Sequence, residues 1–233
     1  QYYEQQWWPR SVGTIWGSIV NYSLARGLCW ACIMLAGWSF ETTAAPRAAS
    51  AQLHQLLASM NSYSAQFMQH TRDAEGQTLQ RASGVFEFAK PQSMRWITLQ
   101  PMTQHIITDG RSLWVYDADL EQVIVDDFNR QMSATPAMIF SESVASIDAT
   151  YRVERREPDE AVVAFILTPR DDTGLLSSIE LTFIDSALSG VSITSAEEIN
   201  QFDFLRVQLN PVISSAAFSF EVPTDVEVID NRQ

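Results

Sequence analysis

Short runs of alternating apolar and polar side chains recur from Tyr63 to Phe220, and this period of two constrains the fold more than any other feature. Tyr63, Ala65 and Phe67 alternate with Ser64, Gln66 and Met68. Strand-like runs follow at 84–89, 94–99, 105–107, 113–116 and 122–125, then at 151–153, 162–167, 179–184, 190–193, 204–209 and 218–220, most of them alternating and some, such as 162–167, apolar throughout. Alternation puts one set of side chains on each face of a pleated strand, so each run can bury one face. The punctuation agrees: Pro91 and Pro101 close two runs, and Asp109-Gly110 joins two others as a tight hairpin turn. Strands spaced by roughly 8–12 residues predict an all-β sandwich or barrel.

Two helical signals interrupt the pattern. Leu53, Leu56, Leu57 and Met60 fall at helical spacing, with Ser50 as the expected N-cap. Thr135-Pro136, followed by Ala137-Met138-Ile139-Phe140, predicts a short helix inserted between strands. An amphipathic helix must lay its stripe on a partner, and here the partner is the sheet.

The N-terminal region obeys a different grammar. Arg26 precedes an apolar run from Gly27 to Trp38, and small residues follow at Thr42-Thr43-Ala44-Ala45. Charge, apolar run and small residues form the pattern of a secretory signal. The run falls short of the ~20 apolar residues that span a bilayer. Cleavage is expected after Ala44, or a few residues later near Ala48 to Ser50. Residues 1–20 fit no targeting pattern, and the first Met, Met34, lies inside the apolar run, so the true start is expected downstream of Gln1. The expected organisation is a non-native start plus signal peptide over 1–45 and one folded domain over 46–233.

Charge and chemistry narrow the function. The net charge of −13 disfavours nucleic acid and a bare anionic bilayer, and suits solubility or a basic protein partner. Cys29 and Cys32 are the only cysteines, and they sit in the apolar run without the polar context of a redox site. His54, His70 and His105 lack metal-ligand spacing. No nucleophile elbow, phosphate loop or dinucleotide fingerprint occurs. Asp126-Asp127 and Asp171-Asp172 are paired carboxylates that turns and solvated edges explain. The expectation is a protein that is not an enzyme and has no metal or cofactor.

Several segments, in order, resemble the outer-membrane lipoprotein carrier family (LolA). They are Gly84-Val85-Phe86-Glu87-Phe88-Ala89-Lys90-Pro91 running on to Arg95-Trp96, Thr108-Asp109-Gly110-Arg111-Ser112-Leu113-Trp114-Val115-Tyr116-Asp117, Thr135-Pro136-Ala137-Met138-Ile139, Leu167-Thr168-Pro169-Arg170, and Phe218-Ser219-Phe220-Glu221-Val222-Pro223. The resemblance covers Ala51 to Asp230. It implies an unclosed antiparallel β-barrel with a helical lid over its concave hydrophobic face. It also implies a periplasmic, monomeric carrier that takes triacylated lipoproteins from an inner-membrane ABC transporter to an outer-membrane receptor. A related half-barrel could instead serve as a fixed lipid-binding or envelope-stress sensor domain.

The resemblance and the alternation together nominate the site. Phe67, Phe86, Phe88, Trp96, Ile106, Trp114, Tyr116, Val123 and Val125 are expected to line an acyl-chain cavity, although ordinary core packing would use the same residues. Pro136, Met138 and Ile139 are expected on the lid. Lys90, the only lysine, stands where the family places a basic residue at the barrel mouth. That residue is usually Arg, and Lys lacks its forked donors. Lys90, Met94 and Arg95 are expected at the rim, as latch or partner contacts. Met94 falls where the family often carries an aromatic used against the transporter.

Overall fold

The computed structural model describes residues 44–128, 144–171 and 176–232. The lid residues Pro136, Met138 and Ile139, the helix start at Thr135 and the signal segment lie outside them. Helix α1 (Ala44–Ser59) leads into strands β1 (Ser62–Asp73), β2 (Thr78–Ala89), β3 (Ser93–Gln100), β4 (Gln104–Thr108), β5 (Ser112–Asp117) and β6 (Gln122–Asp127). A short helix α2 (Val144–Thr150) precedes β7 (Tyr151–Asp159), β8 (Val162–Pro169), β9 (Ser178–Ile184), β10 (Ala187–Thr194) and β11 (Glu198–Leu209). A 3-10 turn (Ser215–Phe218) and β12 (Glu227–Asp230) end the chain.

All twelve strands form one sheet in the order β12-β6-β5-β4-β3-β2-β1-β11-β10-β9-β8-β7, with β12 and β7 at its two edges. The sheet is not closed into a barrel, as expected. Neighbours are antiparallel except at one edge, where β12 runs parallel to β6. That pairing is possible because a long connection after β11 carries the chain back across the sheet. The seam between the two halves is β1 against β11, held by the register Phe67↔Phe204 and Gln69↔Phe202.

One core runs along the inner face from β3 to β7. It joins Leu53, Leu57 and Met60 from α1 and its end with Tyr63, Phe67 and Phe86 from one half, and Phe165, Leu181, Phe183 and Leu188 from the other. Met94 of β3 and Val153 of the edge strand β7 share this cluster although they lie seven places apart in the order, so the sheet curves around it. The stripe of α1 that reaches it is Ala49, Leu53 and Leu57, one residue per helical turn. Tyr63 is fully buried and donates its hydroxyl to the Leu188 carbonyl at 2.7 Å, which satisfies its polar end inside the core.

Three local expectations are corrected. Helix α1 begins at Ala44, not after Ser50, because Pro46 fits a first helical turn; Ser50 is fully buried within the helix. The run at 218–220 is not a strand. Ser214 caps a 3-10 turn there, its side chain accepting from the Ala216 amide. The final strand is β12, a four-residue exposed edge strand in which Val228 and Ile229 are adjacent and do not alternate with polar residues.

Candidate functional site

Cross-strand partners share a face of a sheet, so the registers sort every predicted site residue. On the inner face one row reads Tyr63, Phe88, Met94, Thr108, Leu113 and Asp126 across β1 to β6. The next row reads Ala65, Phe86, Trp96, Ile106, Val115 and Ile124. The third opens with Phe67 and Gly84 and turns polar at Thr98, Gln104 and Asp117. The second row is therefore apolar along its whole length.

Aromatic rings dominate where these rows meet. Phe86 lies 5.2 Å from Trp96 and 5.7 Å from Phe204, ring centre to ring centre. Trp96 lies 4.4 Å from Phe67 and meets Phe202 edge-on at 5.2 Å. Tyr63 stacks on Phe88 at 5.8 Å. Such tilted and edge contacts add stability beyond simple burial. Gly84 makes the arrangement possible: a Cβ there would press on the Ile97 carbonyl oxygen and sit 2.7 Å from Cε1 of the Phe67 ring. Phe67 thus lies over a strand that carries no side chain at that point.

The cover on this face is fixed at one end. Lys90 Nζ donates to the carbonyls of Leu57 (3.1 Å) and Ala58 (2.9 Å), in the last turn of α1. A cation there meets both unsatisfied carbonyls and the negative end of the helix dipole. Partial burial lowers the Lys90 pKa from its usual value. Its own backbone N–H donates to Asn61 O. Asn210 completes the junction. Its side-chain oxygen accepts from the amides of Asn61 (2.7 Å) and Ser62 (3.3 Å), and its amide nitrogen donates to Ser59 O (3.1 Å). Asn210 has φ 53, a left-handed conformation that Asn tolerates better than most residues. Sequence reading missed this residue. Its signal was the Asn210-Pro211 pair, a turn initiator at the end of a strand.

Comparison with known proteins decides the family. The family model described as outer membrane lipoprotein carrier protein LolA matches residues 58–221. The outer-membrane lipoprotein carrier protein of Hahella chejuensis is 36% identical over 179 residues, covering 76% of this chain and 86% of that one. Its counterpart from Chromohalobacter salexigens is 34% identical over 206 residues, covering 88% and 98%. The chain belongs to the LolA family. Among solved structures, an uncharacterized conserved protein from Thermus thermophilus aligns with a TM-score of 0.50 and 11% identity, over 77% of this chain and 99% of that one; it shares the fold.

For a LolA-family chain, the structure divides the nominated cavity residues into two groups. Phe67, Phe86, Phe88, Trp96 and Ile106 lie together on the inner face. Trp114, Tyr116, Val123 and Val125 do not join them. Trp114 pairs with Ile107 and Val125, and Tyr116 with His105 and Val123, all on the outer face. There they form a second core with Ile97 and Phe218, and Phe220 packs on Tyr116 at 5.4 Å. The reason is the turn at Asp109-Gly110, which pairs Thr108 with Leu113. Inward positions are even-numbered in β4 and odd-numbered in β5, so Leu113 and Val115 face inward in place of Trp114 and Tyr116.

The rim residues also separate. Lys90 sits at the end of α1, as just described. Met94 is buried in the inner core, not exposed at a rim, so it offers no surface to a partner in this state. Arg95 is on the outer face, paired with Glu87 at 2.9 Å. Glu87 also accepts from Ser64 Oγ. Nearby His105 has its pKa lowered, first by burial and then by the Arg95 charge. Asp126 departs most from expectation. It is 4% exposed on the inner face, not a solvated edge carboxylate.

Proposed function

We propose that this chain is a periplasmic carrier that shields lipoprotein acyl chains, taking them from an inner-membrane ABC transporter to an outer-membrane receptor. The observation that carries the reading is the aromatic inner face, whose core Leu53 and Leu57 of α1 enter while the end of that helix is tied by a few hydrogen bonds. The names of the relatives give the same direction: both are outer-membrane lipoprotein carrier proteins. Each methylene moved out of water is worth ~0.8 kcal/mol, so exposing one long acyl chain costs on the order of 10 kcal/mol. Three chains cannot cross an aqueous compartment unshielded at a useful rate. A carrier must also hold its cargo more weakly than the acceptor does, and a wall of hydrocarbon with few polar anchors suits loose retention.

In this reading α1 is part of the lid and Lys90 its latch. The two Lys90 bonds favour the closed, empty state, and cargo entering beneath α1 displaces the helix stripe from the inner face. Phe67, Phe86, Phe88, Trp96 and Ile106 then contact acyl chains. The Arg26-led apolar run delivers the protein to the periplasm and is removed there.

The test uses membrane vesicles that carry the transporter and a labelled lipoprotein. Adding ATP and the purified exported chain should release a soluble one-to-one complex of chain and lipoprotein. Retention of all label in the vesicles, with a known carrier releasing it in parallel, would refute the carrier reading.

A further inference from the structure

We propose that Asp126 is the polar contact of the inner face for an N–H group at the acylated terminus of the cargo. The inference rests on the carrier reading and extends it to a residue that no feature of the family resemblance marks.

Asp126 stands apart from the other buried polar side chains among the described residues. Ser62 donates to Pro211 O, Thr71 donates to Asn200 Oδ1, and Thr108 accepts from the Gly110 amide. Asp126 Oδ2 is buried with no hydrogen-bond partner among the described residues. A buried carboxylate oxygen without a donor is among the most costly arrangements in a protein interior, and a residue that keeps it calls for an explanation.

Position supplies the explanation. Asp126 ends the row that contains Phe88, two residues before Lys90, so it lies at the same end of the sheet as the Lys90 contact with α1. Thr108 is the other polar side chain towards that end of the row, and its oxygen is engaged by Gly110. The row behind it is apolar from Ala65 to Ile124. A ligand with its hydrocarbon along that second row therefore presents its head at the level of Asp126.

The chemistry then selects the group. An ionised carboxylate only accepts hydrogen bonds. The ester and thioether atoms of an acylated cysteine are themselves acceptors and cannot pair with it. The donors at that terminus are N–H groups: the amide of an N-acylated cysteine, or the ammonium of one that is not N-acylated. Both are N–H chemistry beside acyl chains, and affinity measurements separate them.

The experiment compares the exported chain with Asp126→Leu and Asp126→Asn. Three ligands are titrated: diphenylhexatriene, which has no donor; a triacylated lipopeptide with an amide N–H; and its diacylated analogue with a free ammonium. Asp126→Leu should weaken both lipopeptides roughly tenfold, the size of one charge-assisted hydrogen bond, and leave diphenylhexatriene unchanged. Asp126→Asn keeps the shape and a carbonyl acceptor. It should spare the amide-ended lipopeptide and weaken the ammonium-ended one, which also decides the case if the leucine variant fails to fold. Lipopeptide affinities equal to wild type in both variants, or an equal loss for all three ligands, would overturn the assignment. If the wild-type chain bound diphenylhexatriene and neither lipopeptide, the carrier reading itself would fall.

Discussion

The same strands build two aromatic faces, and their covers differ in kind. On the inner face of β2 to β4, Phe86, Phe88, Trp96 and Ile106 belong to the core that Leu53 and Leu57 of α1 enter, and the end of α1 is joined to the rim through Lys90 and Asn210. On the outer face of β3 to β6, Ile97, Trp114, Tyr116, Val123 and Val125 lie under the segment that follows β11. Phe218 is buried there, and β12 locks that segment to the sheet through backbone pairing with β6. One cover is attached by side-chain donors to helix-end carbonyls, the other by a strand ladder and a buried ring. Side-chain bonds to an exposed helix end exchange with water at small cost, whereas losing a ladder exposes several backbone groups at once. In a carrier, the inner cover is the one that moves.

Five substitutions probe this contrast. The largest expected effect is Gly84→Ala. The added methyl presses on the Ile97 carbonyl and the Phe67 ring, so β2 and β3 must part or Phe67 must leave its place. Overpacking against backbone should cost on the order of 3 kcal/mol. Chemical denaturation measures it, and a loss below about 1 kcal/mol would show that the inner face is looser than described.

A charge placed on each face comes second. Phe88→Glu puts a carboxylate into the inner wall and should reduce binding of an apolar fluorescent probe roughly tenfold or more. Tyr116→Glu, on the half-buried outer face, should leave probe affinity within about twofold. Equal losses in two folded variants would mean that the faces are not functionally distinct.

The smallest effect is at the latch. Lys90→Leu removes both bonds to α1, each worth about 1.5–3 kcal/mol at most and less where water competes. Global stability should change by about 1 kcal/mol or less, while transfer of bound lipoprotein to the receptor should slow, because the empty closed state is no longer favoured. Lys90→Arg should transfer like wild type or latch more firmly through its planar fork. Equal transfer by all three proteins would leave Lys90 as an ordinary surface charge.

Most of the fold could be read from alternation, because a period of two survives in any strand with one buried face. What alternation does not carry is the phase from one strand to the next. The even-numbered aromatics Phe86, Phe88 and Trp96 point inward, and so does Ile106, but the Asp109-Gly110 turn reverses the phase and sends Trp114 and Tyr116 outward. That turn was legible; its effect on register was not. Asp126 was obscured by its neighbour. Two adjacent aspartates suggest a solvated edge, yet in a strand one of any such pair must face inward. Lys90 was legible because a lone lysine before a proline is conspicuous, and its carbonyl partners in α1 needed the fold. Asn210 went unnoticed because its partners, Ser59 to Ser62, are nearly the whole domain away in sequence.

The seam between β1 and β11 sets an order of events as the chain emerges. Strands β2 to β6 are joined by short turns and can pair as they appear, and so can β7 to β10. Strand β1 has one partner in its neighbour β2, but its other edge waits until the chain has been delivered as far as Leu209. The free edge of β6 waits longer still, for β12 at Glu227–Asp230. Loop-closure entropy makes such pairings late and slow. A chain delivered N-terminus first therefore keeps the β1 edge open until β11 arrives and the β6 edge open until β12 does. Removing only β12 would leave β6 permanently available to a neighbouring chain.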